Sequence, residues 1–374
     1  MKLHPAIAIL ILTAPFVWGV PEVAVNPTPG GGIQPVAETD ADGNIHVVYF
    51  KGDAAHGDLF HAIRKKGSAE FGEPVRVNST DGSAIAMGTI RGAQIALGQS
   101  GHVHVVWNGS SKVTPEKDHR QTPMLYARST DGGKTFEAER DLITKAKGLD
   151  GGGAVAAHNS GKVEVFWHAG SPDDGEVGRK VWVARSADDG KTFSPEIPAW
   201  NKETGVCGCC GMTAGASASE SFVLYRSATG GIDRDIYLLR SGDGDEFSGQ
   251  KIDQWKIEAC PMSAMALSFA GKHSVASWEA KGGDVAFRVL GANIEGRVVH
   301  GKMKRKFPDV AVAPDGHVLL AWIDGGGWKR KGRLAWQLFA PDGKPIGEPA
   351  SEAVSAEWTK PAAVYDGEAF TILY

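Results

Sequence analysis

The sequence predicts an all-β protein, namely a β-propeller of seven four-stranded antiparallel blades, with six blades as the alternative. Three observations lead to this prediction. A short unit recurs along the chain, the aromatic residues that close it are regularly spaced, and further strands follow most of its copies. Because neither a substantial helix nor a linker is evident, we expect residues 20–374 to form a single domain.

The recurring unit is an Ala/Val-rich strand, a turn, and a second strand that ends in an aromatic residue. Successive closing aromatics are 58, 60, 58, 53, 44 and 52 residues apart. A period of about 50 residues, built from short alternating strands, is typical of propeller blades. In chain order, the closing aromatics are Tyr49, Trp107, Trp167, Tyr225, Trp278, Trp322 and Tyr374.

The outer half of each blade follows the closing aromatic. Segments such as 125–128 predict a third strand, and segments such as 73–78 predict a fourth. The seventh unit stops at Tyr374 after two strands only. Because residues 21–26 resemble the fourth strand at 73–78, we expect the N-terminal strand to complete the last blade. That blade would then lack one strand, which is why six blades stay an alternative.

Residues 1–19 have the features of a secretory signal. Lys2 supplies a positive charge, residues 6–17 are mainly apolar, and Val17 and Gly19 are small residues at the expected cleavage positions. The alternative is a membrane anchor, but the apolar run is short for a spanning helix of about 20 residues. We therefore expect a secreted or periplasmic protein, without a membrane association once the signal is removed.

The charge pattern excludes one class of partner. The formal net charge is −4, it becomes −5 when Lys2 is removed, and no basic block is present. Such a chain lacks the electrostatic footprint of a nucleic-acid-binding protein, and it gives no reason to expect binding to anionic membranes. A carbohydrate or another small molecule is the expected partner, and the sequence carries no signal of oligomeric state.

Two octapeptides identify the superfamily that the chain resembles. Residues 129–136 and 186–193 both fit Ser-x-Asp-x-Gly-x-Thr-Phe and lie 57 residues apart, and residues 241–247 form a degenerate copy. They resemble the Asp-box (BNR) repeat of the sialidase-like propellers, and the blade pattern extends the resemblance over nearly the whole mature chain. The aspartates Asp131 and Asp188 are expected to accept backbone N–H groups across a turn, which is a structural role.

The repeat alignment predicts which residues reach one end of the central channel. With strands labelled A to D from the axis outwards, the D-to-A connections and the B-to-C loops of a propeller share one face, here called the mouth. Polar and cysteine residues project there from most blades. They are Arg91, Asp150, Cys209, Cys210, Cys260 and Lys306 before the A strands, and Asn108, His168, Arg226, Glu279 and Asp324 after the B strands.

The resemblance implies a sialidase-like site at the mouth. In that family three arginines hold the substrate carboxylate, an aspartate is the acid/base, and a tyrosine activated by a glutamate is the nucleophile. By position, Arg91 and Arg226 match two arginines, Asp150 matches the acid, and Glu279 is the candidate glutamate. The chain departs from the pattern in one respect, because none of its six tyrosines is placed at the mouth.

Further mouth residues complete the candidate set. No third arginine is evident for the carboxylate, although Arg179 and Arg234 lie in nearby loops. His168 follows a closing aromatic and is the histidine that we expect to act as a ligand or a base. Four tryptophans lie outside the repeated core positions and would either stack on sugar rings or fill gaps between loops. They are Trp200, Trp255, Trp328 and Trp358.

All four cysteines lie in two segments that precede neighbouring inner strands. We expect Cys207, Cys209 and Cys210 to open the inner strand of one blade and Cys260 to open that of the next, so that their sulfurs lie within a few ångströms of one another. Alternation along a strand would place Met262 on the same side as Cys260. Clustered thiolates and thioethers suit a soft metal, copper first and zinc second. Two disulfides are the alternative that an even cysteine count favours in an exported protein, with redox-active or free thiols as a third.

Three functions therefore stay open at the level of sequence. The first is a sialidase-like or other carbohydrate-acting protein that uses the mouth residues and the rim tryptophans. The second is a metalloprotein with copper held by the cysteines, with or without Met262 and His168. The third is a binding propeller without catalysis, whose cysteines are oxidised. Whether the protein is an enzyme is not decided by the sequence.

Overall fold

The structure is a computed structural model that describes residues 21–374 except 89, 115–121, 171–174, 243–245, 300 and 355. The predicted signal at 1–19 lies outside the described residues. Within them, no helix is long and apolar enough to cross a membrane. The helical segments described are three short 3-10 turns at Pro29–Gly31, Gln99–Gly101 and Lys281–Gly283.

Seven small sheets form a ring, which confirms the predicted seven-bladed propeller. Blade 1 consists of β2 (Ile33–Thr39), β3 (Ile45–Asp53), β4 (His56–Arg64) and β5 (Val75–Arg76). Blade 2 consists of β6 (Gln94–Leu97), β7 (Val103–Asn108), β8 (Met124–Ser129) and β9 (Arg140–Asp141). Blade 3 consists of β10 (Gly153–Ala157), β11 (Val163–Ala169), β12 (Lys180–Ser186) and β13 (Ile197–Pro198).

The remaining blades follow the same order from the axis outwards. Blade 4 consists of β14 (Thr213–Ala216), β15 (Ser221–Arg226), β16 (Ile236–Ser241) and β17 (Ser248–Asp253). Blade 5 consists of β18 (Met265–Ala270), β19 (His273–Ala280), β20 (Asp284–Val289) and β21 (Ile294–Val298). Blade 6 consists of β22 (Arg305–Val312), β23 (Val318–Asp324), β24 (Arg333–Phe339) and β25 (Pro345–Ala353). Blade 7 consists of β26 (Ala362–Tyr365), β27 (Phe370–Leu373) and β1 (Val23–Asn26).

Blade 7 closes the ring by pairing the two ends of the chain. Strand β1 lies beside β27, with Val23 opposite Phe370 and Asn26 opposite Leu373. The prediction that the N-terminal strand completes a blade with one strand missing is confirmed. However, β1 occupies the third position and runs parallel to β27, whereas its resemblance to residues 73–78 suggested a fourth strand. Strand β1 thus covers the edge of β27 that faces away from β26.

The closing aromatics form the core, as their repetition predicts. Six of the seven are at most 2% exposed, and Tyr374 alone is half-buried because it follows the last strand. The apolar clusters join neighbouring blades, as where Trp107 of blade 2 packs with Phe50 and Leu59 of blade 1. Burial of each such side chain contributes about 1.5–3 kcal/mol, so blade-to-blade packing holds the ring together.

The two octapeptides form the turns between strands C and D. Asp131 accepts hydrogen bonds from the backbone N–H groups of Lys134 and Thr135, both at 3.0 Å, and from the Thr135 hydroxyl at 2.6 Å. These hydrogen bonds from Thr135 lower the pKa of Asp131 well below its usual range. The following aromatic, Phe136, packs edge-on against His61 of blade 1. The expected structural role of the aspartate is therefore observed.

The strand register places the D-to-A connections and the B-to-C loops at one edge of each blade. Gly153 at the start of β10 pairs with Trp167 near the end of β11, and Thr213 pairs with Leu224 in blade 4. The inner strands of successive blades contact one another around the ring, and β2 contacts β26. Residues just before the A strands and just after the B strands therefore meet at the mouth.

Candidate functional site at the mouth of the channel

An ion pair between blades 2 and 3 lies at the centre of the site. Arg91 donates from Nη2 to Oδ1 of Asp150 at 2.9 Å and from Nε to the carbonyl oxygen of Asp150 at 2.7 Å. Its third nitrogen donates to the carbonyl oxygen of Met87 at 3.1 Å. The Asp150 side chain is 44% exposed and that of Arg91 is 23% exposed, so both are accessible to a ligand.

Arg179 approaches the same carboxylate from the B-to-C loop of blade 3. Its Nη1 lies 3.7 Å from Oδ2 of Asp150 and has no hydrogen-bond partner among the described residues. The backbone of Gly208 lies directly beneath the guanidinium group, where a Cβ atom would overlap it. The site thus holds two guanidinium groups around one carboxylate, and the Arg179 side chain is 18% exposed although its unpaired Nη1 is itself buried.

His168 lies below this group at the end of β11 and is fully buried. Neither ring nitrogen has a hydrogen-bond partner of normal geometry within the described part of the chain. Burial is the main reason that the pKa of His168 falls to about 3, and the charge of Arg179 lowers it further. The imidazole is therefore neutral at physiological pH. Its burial argues against a role as a solvent-exposed base.

Of the four predicted tryptophans, Trp328 is exposed at the rim, whereas Trp358 is only 7% exposed and packs beneath it. Trp328 extends from the B-to-C loop of blade 6, is 47% exposed, and packs edge-on against Trp358 with ring centroids 4.8 Å apart. A Cβ atom on Gly88 would lie 3.4 Å from the Trp328 ring and 2.7 Å from Nη1 of Arg91. The exposed indole therefore lies beside the Arg91–Asp150 pair, where a sugar ring could stack on it.

The other two tryptophans have different surroundings. Trp255 lies against the guanidinium of Arg226, with 4.9 Å between Cζ and the ring centroid. Trp200 packs on Gly249 of the outer strand β17 and against Tyr237 of β16, with ring centroids 5.7 Å apart. Trp200 therefore fills a gap between the outer strands of blades 3 and 4, and is not placed to stack on a sugar ring.

Arg226 and Glu279 differ from the predicted picture because both are buried. Arg226 is 1% exposed and donates to the Ser263 hydroxyl at 2.6 Å and to the carbonyl oxygens of Arg234 and Glu279 at 2.5 and 2.6 Å. Its donors hold the loops of blades 4 and 5 together. They are consequently not directed at a substrate carboxylate.

The carboxylate of Glu279 is likewise engaged by protein groups. It accepts hydrogen bonds from the Lys306 ammonium at 2.5 Å and from the backbone N–H of Phe307 at 2.9 Å and of Ala264 at 3.2 Å. Lys306 also donates to the carbonyl oxygens of Pro261 and Met262. Because buried charges need partners of this kind, we interpret Glu279 and Lys306 as an anchor between blades 5 and 6.

The cysteines cluster as predicted. Cys209 and Cys260 form a disulfide that joins the connections before blades 4 and 5. Cys207 and Cys210 are buried thiols, and Sγ of Cys207 lies 2.8 Å from Sγ of Cys210 and 3.4 Å from Sγ of Cys209. The sulfurs of these three residues all lie within 4.8 Å of one another.

The pKa values of the two free thiols are shifted in opposite directions. Burial raises the pKa of Cys210, but the hydrogen bond with Cys207, the charge of Arg226 and the Ser263 hydroxyl together lower it to about 7. The hydrogen bond with Cys210 is the largest of the effects that raise the pKa of the Cys207 thiol. The pair therefore shares a proton, and the thiolate is stabilised on Cys210.

The cysteines do not belong to the inner strands, contrary to the prediction. Strand β14 begins at Thr213 and β18 at Met265, so all four cysteines lie in the D-to-A connections. Met262 has a positive φ of 46°, which breaks the alternation expected to align it with Cys260. The described contacts of Met262 are those of its carbonyl oxygen, and Met212 packs in the core of blades 3 and 4.

Sequence reasoning missed the groups that link the cysteine segment to the anion site. Glu176 accepts a hydrogen bond from the backbone N–H of Gly208 at 2.7 Å and pairs with Arg234 at 2.7 Å. The sequence identifies Arg179 and Arg234 only as arginines in loops near the mouth. Their spacing after the closing aromatics Trp167 and Tyr225 varies, so the repeat carried no signal for them, whereas the glycine between two cysteines marks a place of close approach.

Comparisons with known proteins identify the fold. No known protein family matches the chain, and no curated protein sequence does so either. Among solved structures, an α-L-arabinanase of Penicillium chrysogenum complexed with arabinobiose is similar at 14% identity, with a TM-score of 0.53 over 84% of this chain and 95% of that one. The Hadza microbial sialidase Hz136 is similar at 14% identity, with a TM-score of 0.54 over 84% of this chain and 70% of that one.

A third similar structure is a polysaccharide lyase, an ulvan lyase bound to -[GlcA(1-4)Rha3S]-. It shares 12% identity with this chain, with a TM-score of 0.52 over 89% of this chain and 87% of that one. Identities this low establish a shared propeller fold. The function of the chain therefore depends on its own residues at the mouth.

Proposed function

We propose that this protein recognises an acidic carbohydrate at the mouth of its propeller. The observation that carries the proposal is the group of Arg91, Asp150 and Arg179 beside the exposed indole of Trp328. A partly exposed guanidinium suits a carboxylate or a sulfate group, with which it forms charge-assisted hydrogen bonds. An exposed aromatic face next to it suits the apolar face of a sugar ring.

The charge of the site favours an anionic ligand over a neutral one. Arg91 and Arg179 surround the single carboxylate of Asp150, which leaves an excess of positive charge beside the rim. The similar structures support a carbohydrate ligand, since they include an arabinanase complexed with the neutral sugar arabinobiose, a sialidase, and an ulvan lyase bound to a glucuronate-containing saccharide. Asp150, the one accessible carboxylate in this group, is the candidate acid if the ligand is also cleaved.

The test is calorimetric titration of the full mature chain with sialyllactose, a glucuronate-containing oligosaccharide and neutral lactose. We expect the acidic sugars to bind and the neutral one to bind at least about tenfold more weakly. Arg179→Gln should raise the Kd for the acidic sugar about tenfold or more, because a charge-assisted hydrogen bond contributes about 1.5–3 kcal/mol. Arg297→Gln, on the outer strand β21 of blade 5, is the matched control and should leave the Kd unchanged.

Two results would contradict the proposal. One is equal affinity for acidic and neutral sugars, and the other is an Arg179→Gln variant that binds like the parent. Catalysis is measured separately, as release of an aglycone from a fluorogenic sialoside and as new reducing ends from the glucuronate-containing oligosaccharide. We expect Arg91→Ala and Asp150→Asn to abolish any such turnover, while Arg297→Gln retains it.

A soft-metal site is the second candidate function, and the convergence of sulfurs favours it. If the disulfide is reduced, the clustered Cys207, Cys209 and Cys210 offer three thiolates to one ion and Cys260, released from Cys209, is the candidate fourth, a donor set that suits copper(I). Copper that co-purifies at one equivalent per chain and disappears in Cys260→Ser would support it. Protein purified with copper in the medium but free of the metal would contradict it.

We further propose that the chain works outside the cytoplasm, in the periplasm or beyond. The predicted signal at residues 1–19 and the Cys209–Cys260 disulfide both support this location, because disulfides persist in oxidising compartments. Fractionation of cells that produce the full chain tests it. A mature N-terminus near residue 20 in the exported fraction is the expected result, and an unprocessed chain in the cytoplasm would contradict it.

A further inference from the structure

The Cys207–Cys210 pair lies next to a disulfide that it can attack. Cys207 is 3.4 Å from Sγ of Cys209 and 2.8 Å from Sγ of Cys210. Cys209 is one half of the disulfide to Cys260. One buried thiol thus stands between a disulfide sulfur and a second thiol, which is the arrangement that two successive thiol–disulfide exchanges require.

We propose that these four cysteines form an intramolecular disulfide relay that moves one disulfide between a buried and an accessible position. In the first step the sulfur of Cys210 takes up the proton of Cys207, and the resulting Cys207 thiolate attacks Sγ of Cys209. A Cys207–Cys209 bond forms, the Cys209–Cys260 bond breaks, and Cys260 leaves as a thiolate that takes up a proton. This proposal does not depend on the carbohydrate function of the mouth.

The second step resolves the mixed disulfide. The thiolate of Cys210 attacks Sγ of Cys207, a Cys207–Cys210 bond forms, and Cys209 leaves as a thiolate and is protonated. One disulfide is broken and one is formed, and two protons pass from Cys207 and Cys210 to Cys209 and Cys260. Because electrons and protons balance within the chain, no external oxidant or reductant is needed.

The local backbone suits the product of the relay. The backbone N–H of Cys210 donates to the carbonyl oxygen of Cys207 at 3.3 Å, so residues 207–210 form a turn. A turn of this kind brings its end Cα atoms within about 7 Å, close to the span of a disulfide. Gly208 and Cys209 occupy the middle of the turn, so Cys207 and Cys210 can bond without moving either flanking strand.

Exposure gives the relay a direction. Cys207 and Cys210 are each 1% exposed, whereas Cys260 is exposed and Cys209 is half-buried. When the disulfide lies between Cys209 and Cys260, both thiols are sealed in the interior. When it moves to Cys207 and Cys210, the two thiols appear at the mouth, where an external disulfide or oxidant can reach them. The buried pair would thus serve as a protected store of reducing equivalents.

The test uses the full mature chain purified without added reductant. The protein is quenched in acid, denatured, alkylated with N-ethylmaleimide and digested, and its linkages are mapped by mass spectrometry. In the parent chain we expect one disulfide and two alkylated cysteines per molecule, with both the Cys209–Cys260 and the Cys207–Cys210 linkages recovered from the same preparation.

Two single variants separate the steps. Cys210→Ser keeps the attacking thiol but removes the resolving one, so a Cys207–Cys209 linkage should accumulate and Cys260 should become alkylated. Cys207→Ser is the matched control, because it removes the attacking thiol and should retain the Cys209–Cys260 linkage with Cys260 unmodified. Circular dichroism and thermal melts of both variants establish that each is folded.

Three results would overturn the relay. The first is a Cys210→Ser variant that is folded and shows only the Cys209–Cys260 linkage. The second is a parent chain with no thiols, whose two disulfides are always intact. The third is a metal ion at one equivalent per chain that protects all four cysteines from alkylation, since this would assign the sulfurs to the second candidate function instead.

Discussion

Gly208 of the cysteine segment lies directly against the guanidinium of Arg179. A Cβ atom at Gly208 would overlap Nη1 of Arg179 and lie 3.0 Å from Oδ2 of Asp150. The anion site and the cysteine segment therefore share a contact surface, and the absence of a side chain at Gly208 permits it.

The first prediction follows from this contact. Gly208→Ala should displace Arg179 and raise the Kd for an acidic sugar about tenfold, a loss of about 1.4 kcal/mol, measured by calorimetry. The thiol count and the melting temperature should change little. Gly301→Ala is the control, because no atom lies within 4 Å of a Cβ at that position. Unchanged sugar affinity in Gly208→Ala would show that Arg179 does not contact the ligand.

The second prediction separates two tryptophans that the sequence treats alike. Trp328→Ala should weaken sugar binding roughly fivefold, about 1 kcal/mol, with the melting temperature almost unchanged because the indole is exposed. Trp200→Ala should do the reverse, lowering the free energy of unfolding by about 2 kcal/mol and leaving affinity intact. Calorimetry and thermal melts on both variants check this. A loss of sugar affinity in Trp200→Ala would count against its placement between blades 3 and 4.

The third prediction concerns the effect of acidic pH on the stability of the fold. The pKa of His168 in the folded chain is about 3 and lies below the ordinary value of 6.5, so below pH 6.5 the unfolded state binds a proton that the folded state excludes. Stability should therefore fall as the pH drops from 6.5 towards 3, with His168 contributing about 1.4 kcal/mol per pH unit. Urea unfolding of the parent and of His168→Gln between pH 7 and 4 measures this.

We expect His168→Gln to have the shallower pH dependence over that interval. His61, whose pKa burial lowers to about 4, also contributes and remains in this variant. Equal slopes in the parent and in His168→Gln would mean that the buried imidazole is already charged or is hydrated.

The fourth prediction compares two similar sequences, Ser129-Thr-Asp131 and Ser79-Thr-Asp81. Asp131→Ala removes four hydrogen bonds within a turn, from the Ser129 and Thr135 hydroxyls and from two backbone N–H groups, and should lower the free energy of unfolding by about 1 kcal/mol, as loss of a capping residue does. Asp81 is 90% exposed and pairs only with Arg76 among its described partners. Asp81→Ala should therefore change stability by less than about 0.5 kcal/mol. Denaturant unfolding distinguishes the two, and equal losses would contradict the assignment of the turn.

The sequence predicts the ring well because a blade is a local unit. The closing aromatics recur at a regular spacing, and six of them are buried because each blade must cover the face of its neighbour. The position of β1 was harder to predict. Residues 21–26 resemble a fourth strand, and this resemblance does not indicate which strand they pair with. Its parallel pairing follows from the free edge of β27, a tertiary feature that no local pattern encodes.

The candidate site was predicted in part, and the reason lies in burial. The repeat places both Arg226 and Arg91 at the mouth, but Arg226 is covered by Trp255 and held by three acceptors, whereas Arg91 remains accessible. Position along a strand does not reveal which side chain a neighbouring loop will cover. The clustering of the cysteines followed from adjacent inner strands, but the choice of Cys209 as the partner of Cys260 depended on the turn at 207–210.

The pairing of β1 with β27 also constrains the order in which the molecule assembles. Val23 meets Phe370, which lies 347 residues further along the chain, so β1 has no partner until β27 has been synthesised. Contacts this distant in sequence form slowly, because the entropy of closing the loop must be lost before they contribute. Blades 1 to 6 can form in turn as the chain emerges, whereas completion of blade 7 is necessarily the final event in closing the circle.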